Sequence, residues 1–180
     1  MEKLSLKELN RISVEDFKTT EKAPFVIVLD NVRSALNVGS VFRTSDAFTL
    51  EKIYLCGITA KPPHREILKT AIGATESMDW EHHSSTVEVV QDLKKQGYIV
   101  LGVEQAKGSV SLQDFQVEKG KKYAIVMGNE VKGVSKEVMQ LLDFCLEVPQ
   151  FGTKHSLNVS VCTGVIIWDL FKQYKYLING

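Results

Sequence analysis

The chain has 180 residues, 44% of them hydrophobic and 24% charged, a balance that lets one globular domain bury its core without staples and excludes an intrinsically disordered chain. Lys plus Arg equals Asp plus Glu at 22 each, so no overall positive field gathers nucleic acid from a distance and any site for a polyanion has to be local. Cys56, Cys145 and Cys162 are far apart, odd in number and form no CxxC pair, which excludes a disulfide framework or a cysteine zinc site and fits a reducing cytoplasm.

In chain order, Leu6, Leu9, Ile12 and Phe17 recur near a helical period and predict a short amphipathic helix within residues 4–17. Residues 1–22 read as a short helical extension and residues 23–180 as the main domain. Lys3, Lys7, Arg11, Lys18 and Lys22 are matched by Glu2, Glu8, Glu15, Asp16 and Glu21, so the extension is not a basic arm. The start lacks the apolar core of a signal peptide and no apolar run is long enough to cross a bilayer, so a membrane partner is not expected.

Pro24 leads into a continuous apolar, β-branched run at residues 25–30, which predicts a strand buried on both faces. Similar runs at 52–56, 98–103, 123–127 and 144–148 predict further strands, and residues 79–83 a short extra one. Helical patterns lie between them at 38–48, 65–71, 86–96 and 135–142, with a last one at 157–176. Strands alternating with helices imply parallel pairing through crossover helices, hence an α/β sandwich. No linker, repeat or low-complexity tract signals a second domain.

The last helix carries Leu157, Val161, Val165 and Trp168 along one face, with Ile166, Ile167 and Phe171 on others. A helix apolar nearly all round has to be covered on more than one side, by its own sheet or by a partner subunit; the periodicity does not choose between them.

Three polar segments follow predicted strands, where open α/β sheets hold their ligands. In residues 31–45, Asn37 can cap a helix, and Gly39 and Arg43 stand four apart on one helical face, which lets a ligand approach the backbone beside a guanidinium. In residues 127–135, Gly128 and Gly133 flank Glu130 in a bend that an ordinary strand-to-helix turn capped by Ser135 also explains. In residues 148–160, Ser156, Asn158 and Ser160 crowd polar groups at the start of the apolar helix; a capping role accounts for one serine and leaves Asn158 without a structural motive. Arg33, Lys132, Lys154 and His155 lie near these segments and can either hold phosphates or form a solvated face. His64, His82, His83 and His155 are scattered, so no metal site is expected, and neither a phosphate loop, a GxGxxG turn nor a GxSxG nucleophile is present.

Taken in order, Asn37-Val38-Gly39-Ser40-Val41-Phe42-Arg43, then Met127-Gly128-Asn129-Glu130 with Gly133, then Pro149 with Ser156-Leu157-Asn158-Val159-Ser160, resemble the motifs of the SpoU, or TrmH-like, branch of the SPOUT RNA methyltransferases. Val131, Val134, Gln150 and Thr49 depart from residues frequent in that family, at no catalytic position. The resemblance implies a SPOUT-type α/β knot: a mostly parallel sheet flanked by helices, whose C-terminal segment threads an earlier loop as a trefoil knot, an exception to unknotted connectivity. It also implies a homodimer, S-adenosyl-L-methionine as cofactor, and 2′-O-ribose methylation of a structured RNA, tRNA or rRNA. Carried over, Arg43 contacts and activates the ribose hydroxyl, Asn37, Glu130 and Asn158 fix its surroundings, and Ser156 orients phosphate. Val103, Gly128, Val148, Ser156 and Leu157 cradle the cofactor, and Arg33, Arg43, Lys132, Lys154 and His155 meet RNA. The alternative is a noncatalytic RNA-binding or assembly protein that retains the knotted fold. A Rossmann-type enzyme expects a glycine-rich turn after the first strand, where this chain has Asp30-Asn31-Val32-Arg33.

Overall fold

The computed structural model describes residues 3–5, 8–9 and 11–179. Seven parallel strands form one sheet: β1 (Ala23–Asp30), β2 (Leu50–Cys56), β3 (Trp80–His83), β4 (Tyr98–Val103), β5 (Val110–Ser111), β6 (Lys122–Met127) and β7 (Phe144–Glu147), ordered β3-β2-β1-β6-β4-β7-β5. Around it lie α1 (Val14–Thr19), α2 (Ala35–Ala47), α3 (Arg65–Ala71), α4 (Ala74–Ser77), α5 (Thr86–Lys95), α6 (Lys136–Met139) and α7 (Val159–Asn179).

The sheet is buried on both faces because its strands are apolar on both. Phe25, Ile27 and Leu29 of β1 join a core that includes Val38 and Phe42 of α2 and Ile166 and Leu170 of α7. Val26 and Val28 point the other way, into a second core with Val89 and Leu93 of α5 and Val138 of α6. This alternation is the period of two that a strand imposes on its side chains.

The register brings strand ends together. Leu29 pairs with Met127, Met127 with Val103, and Val103 with Leu146, so β1, β6, β4 and β7 terminate side by side. The loops that follow them therefore emerge at one edge of the sheet. β7 sits between β4 and β5, although those two strands are joined by only residues 104–109.

Several expectations are corrected. The helix expected at 4–17 is helical only from Val14, where Ser13 caps it by accepting from Asp16 N–H at 3.0 Å; residues 8–9 form a turn, and Leu6, Lys7 and Asn10 lie outside the described residues. α2 starts three residues before the expected 38 because Ser34, not Asn37, is its N-cap. α6 is confined to four residues, and α7 runs from Val159, so Leu157 precedes the helix rather than riding on it. β5 and α4, of two and four residues, had not been expected.

Candidate active site

The three polar segments converge, and hydrogen bonds join them. Ser34 is followed immediately by α2, which puts Asn37 on that helix's first turn with its side chain uncommitted to capping. Glu130 stands in a hairpin after β6, closed by paired bonds between Asn129 and Gly133 of 3.0 and 2.9 Å, while Asn129 Oδ1 accepts from the N–H groups of Val131 and Lys132. A side chain at Gly128 would run into the Gly133 and Val134 backbone, and Gly133 has φ +67°, so the hairpin needs glycine at both places. Glu130 reaches across to the first segment: Arg33 N–H donates to Oε2 at 2.8 Å, and Ser34 N–H and Asn37 Nδ2 donate to Oε1 at 3.0 Å each.

Asn37 passes the connection on. Its Oδ1 accepts from Asn158 Nδ2 at 3.1 Å and from Ser160 Oγ at 3.4 Å. Asn158 in turn caps α7, accepting from Ser160 N–H at 2.9 Å and Val161 N–H at 3.3 Å. That gives Asn158 the structural motive its sequence position did not reveal, and it adds a second use: the capping amide spends its donor on Asn37.

Electrostatics favour an ionised Glu130. Partial burial pushes its carboxyl up, but the N–H groups of Arg33, Ser34 and Glu130 itself, with the Asn37 amide, outweigh this and hold it below the ordinary carboxylate range.

Beside this chain of bonds lies a cleft of about 500 Å³. Val103, Leu146, Val148 and Leu157 supply apolar wall, Gly128 to Gly133 a backbone wall, and Glu104, Glu130, Lys132, Ser156 and Asn158 polar groups. Cys162 also lines it, its thiol pushed up to about 11, chiefly by burial and further by Glu104, so it is protonated at neutral pH and a poor nucleophile. Among the described residues no group of three or more His, Cys, Asp and Glu is placed to hold a metal ion, and no helix is long and apolar enough to cross a membrane.

Val103, Gly128, Val148, Ser156 and Leu157, expected to cradle a cofactor, all line the cleft. Asn37, Glu130 and Asn158 form one bonded chain at its edge. Arg43 is not brought in: it is exposed on α2, six residues or roughly 9 Å beyond Asn37 along the axis, it does not line the cleft, and its side chain bonds to no described residue. Gly39 does not face a ligand either. A side chain there would collide with Thr70 Oγ1 and the Ile67 carbonyl, so its role is close packing of α2 on α3. Lys132 lines the cleft, Arg33 lies on a neighbouring hollow, and Lys154 and His155 are exposed in the loop before α7, which Gln105 Nε2 holds by donating to the His155 carbonyl at 2.7 Å.

Two residues escaped the sequence reading. Glu104 follows β4 directly, lines the cleft and accepts from Val134 N–H at 3.2 Å, tying the end of β4 to the hairpin. Asp30, 1% exposed, accepts from Thr86 Oγ1 at 2.6 Å, Asn31 Nδ2 at 2.9 Å and Ser135 N–H at 2.8 Å, and so clamps three loops. The available signal was a carboxylate closing an apolar strand, since a buried charge demands several donors.

Comparison with known proteins gives three concordant findings. The model of the SpoU rRNA Methylase family matches residues 24–168. An uncharacterized tRNA/rRNA methyltransferase of Borreliella burgdorferi is 30% identical over 166 residues, covering 91% of this chain and 70% of that protein; the 23S rRNA (guanosine-2′-O-)-methyltransferase RlmB of Vibrio parahaemolyticus is 27% identical, covering 93% and 66%. Among solved structures, the AdoMet-bound rRNA methyltransferase from Sinorhizobium meliloti superposes with a TM-score of 0.76 at 26% identity, over 85% of this chain and 58% of that one. The chain thus spans about two thirds of those two relatives and under two thirds of the solved protein.

Proposed function

Because the chain belongs to the SpoU rRNA Methylase family, we propose that it transfers a methyl group from S-adenosyl-L-methionine (AdoMet) to a ribose 2′-hydroxyl of tRNA or rRNA. The observation that carries this reading is the bonded chain Glu130–Asn37–Asn158, which gathers three distant segments beside one cleft. The cleft's volume of about 500 Å³ suits a cofactor of this size, its apolar and backbone walls suit adenosine, and the Glu104 carboxylate complements a positive sulfonium. RlmB, by its name, methylates a guanosine 2′-oxygen, and the Sinorhizobium protein holds AdoMet; both support the assignment.

When bound, AdoMet supplies a methyl group already activated by a sulfonium that departs as a neutral thioether. The protein's task is to hold a weakly acidic hydroxyl in line with that methyl and to ease the loss of its proton. Val103, Gly128, Val148 and Leu157 would hold the cofactor in the cleft, and the aligned hydroxyl would lose its proton to water or a neighbouring phosphate. A guanidinium is a donor with no acceptor, so the part of Arg43 is electrostatic: it stabilises the developing alkoxide. Asn37, Glu130 and Asn158 fix the geometry around the reacting atoms, Ser156 orients phosphate, and Arg33, Lys132, Lys154 and His155 meet the RNA backbone.

Arg43 reaches a cleft if two copies pair. α2 packs on α7, and Leu36 of α2 with Val161, Val165 and Trp168 of α7 leave an exposed apolar strip beside it, Val161 and Trp168 each 55% exposed. A homodimer sealed along that strip covers it and carries Arg43 toward the partner's site. The position of β7 between β4 and β5 supports a trefoil knot, the C-terminal segment passing through the loop that joins those strands. We place the methyltransferase unit at residues 23–180, with residues 1–22 as an extension, and its work in the cytoplasm, where tRNA and ribosomes are made.

The test is transfer of labelled methyl groups from AdoMet into bulk tRNA and ribosomal RNA, followed by mapping of 2′-O-methyl sites. The wild-type protein labels one of the two; Arg43→Ala abolishes turnover, by a factor of about 100 or more, while its AdoMet affinity is retained. RNA binding without transfer by the wild type would instead identify a noncatalytic assembly protein.

A further inference from the structure

A second hollow, of about 570 Å³, shares the Asn129 to Gly133 hairpin as a common wall with the cleft. Its chemistry differs from the cleft's. Arg33 and Lys132 line it, and neither forms an ion pair among the described residues. Ile58 and Val131 also line it and are 67% and 74% exposed. Single exposed aliphatic residues are ordinary, but two of them converging with two cations in one concavity describe a ligand with an apolar face and a negative charge. Ser135 adds a hydroxyl at the α6 N-cap that makes no capping bond, leaving it able to donate or accept. The carboxylate in the wall, Asp30, is occupied by its three donors.

We propose that this hollow holds the nucleotide next to the one methylated: its phosphate met by Arg33 and Lys132, its base laid against Ile58 and Val131, and a sugar or base polar group on Ser135. The assignment rests on the methyl-transfer reading and deepens it. In a chain with no net charge, a local pair of cations beside an apolar surface fits a splayed single-stranded nucleotide, whose base face and phosphate are both available. The hairpin is then a divider with the cofactor on one side and the flanking nucleotide on the other.

Arg33→Ala and Ile58→Ser test this, because both side chains line the hollow and not the cleft. Affinity for bulk bacterial tRNA and for ribosomal RNA is measured across a salt series, AdoMet affinity by calorimetry, and folding by thermal denaturation. Each variant is expected to weaken RNA binding by roughly three- to tenfold with AdoMet affinity and unfolding unchanged. Arg33→Ala alone also lowers the slope of log affinity against log salt by about 1. Variants that bind RNA like the wild type overturn the proposal, as do variants that lose AdoMet in step or change oligomeric state instead. A wild-type protein that binds AdoMet but neither RNA would instead sink the methyl-transfer reading itself.

Discussion

A carboxylate that accepts from three N–H groups cannot become an amide without turning one acceptor into a donor. At Glu130 the amide of Glu130→Gln meets either Arg33 N–H or the Ser34 and Asn37 donors head on, and because the site is open to water the expected loss at neutral pH is about 1 kcal/mol or less. The pH dependence carries a sign. The folded-state pKa of Glu130 lies below its ordinary value, so its contribution is fully present above the unfolded value, about 4.3, and is lost as pH falls through the depressed folded value. Melting temperatures of wild type and variant should therefore differ by a constant amount near neutrality and converge below pH 4; a gap that stays constant into acid contradicts the assignment. At this scale the sequence was informative where polar residues interrupt an apolar pattern. Asn37, Glu130 and Asn158 stand out for that reason, whereas Asp30 closes an apolar strand and Glu104 directly follows one, and both look ordinary there until the donors around them are seen.

Elements were legible when long and uniformly patterned. β1, β2, β4, β6 and β7 are apolar runs and were placed within a few residues, as were α2, α3, α5 and α7. β5 and α4 are too short to show a period, and the first helix is cut back to Val14 because Ser13 offers the cap and Phe17 is its sole buried contact. Gly39 was misread because a helical glycine beside an arginine suggests ligand access, and only the neighbouring helix reveals why no side chain fits. That neighbour yields a prediction. In Gly39→Ala the added methyl meets the Ile67 carbonyl, which is backbone and cannot swing away as a flexible side chain does, so α2 and α3 have to separate. The cost is about 1–3 kcal/mol, read as a lower urea midpoint with an unchanged slope; a midpoint equal to the wild type's would mean that the two helices part freely.

For the whole molecule, the order β3-β2-β1-β6-β4-β7-β5 was beyond the sequence, since periodicity reports which face a residue buries and not which strand lies alongside. The same limit left α7 undecided between core and seam; the structure buries Ile166, Ile167 and Leu170 in the core and leaves Val161, Val165 and Trp168 exposed on the same helix. An apolar strip of that kind on the helix packed against α2, whose Arg43 side chain bonds to no described residue, makes the proposed pairing of two copies testable. In Trp168→Glu a charge replaces a half-exposed indole whose ring lies 5.8 Å from Phe48, so the fold survives while desolvating the new carboxylate opposes pairing. Sedimentation should show wild-type dimers and variant monomers, the monomers keeping AdoMet affinity because the cleft is lined within one chain and losing methyl transfer because Arg43 no longer meets a partner's site. A monomer that still methylates RNA at the wild-type rate would separate the arginine from the seam and require each chain to complete its own site.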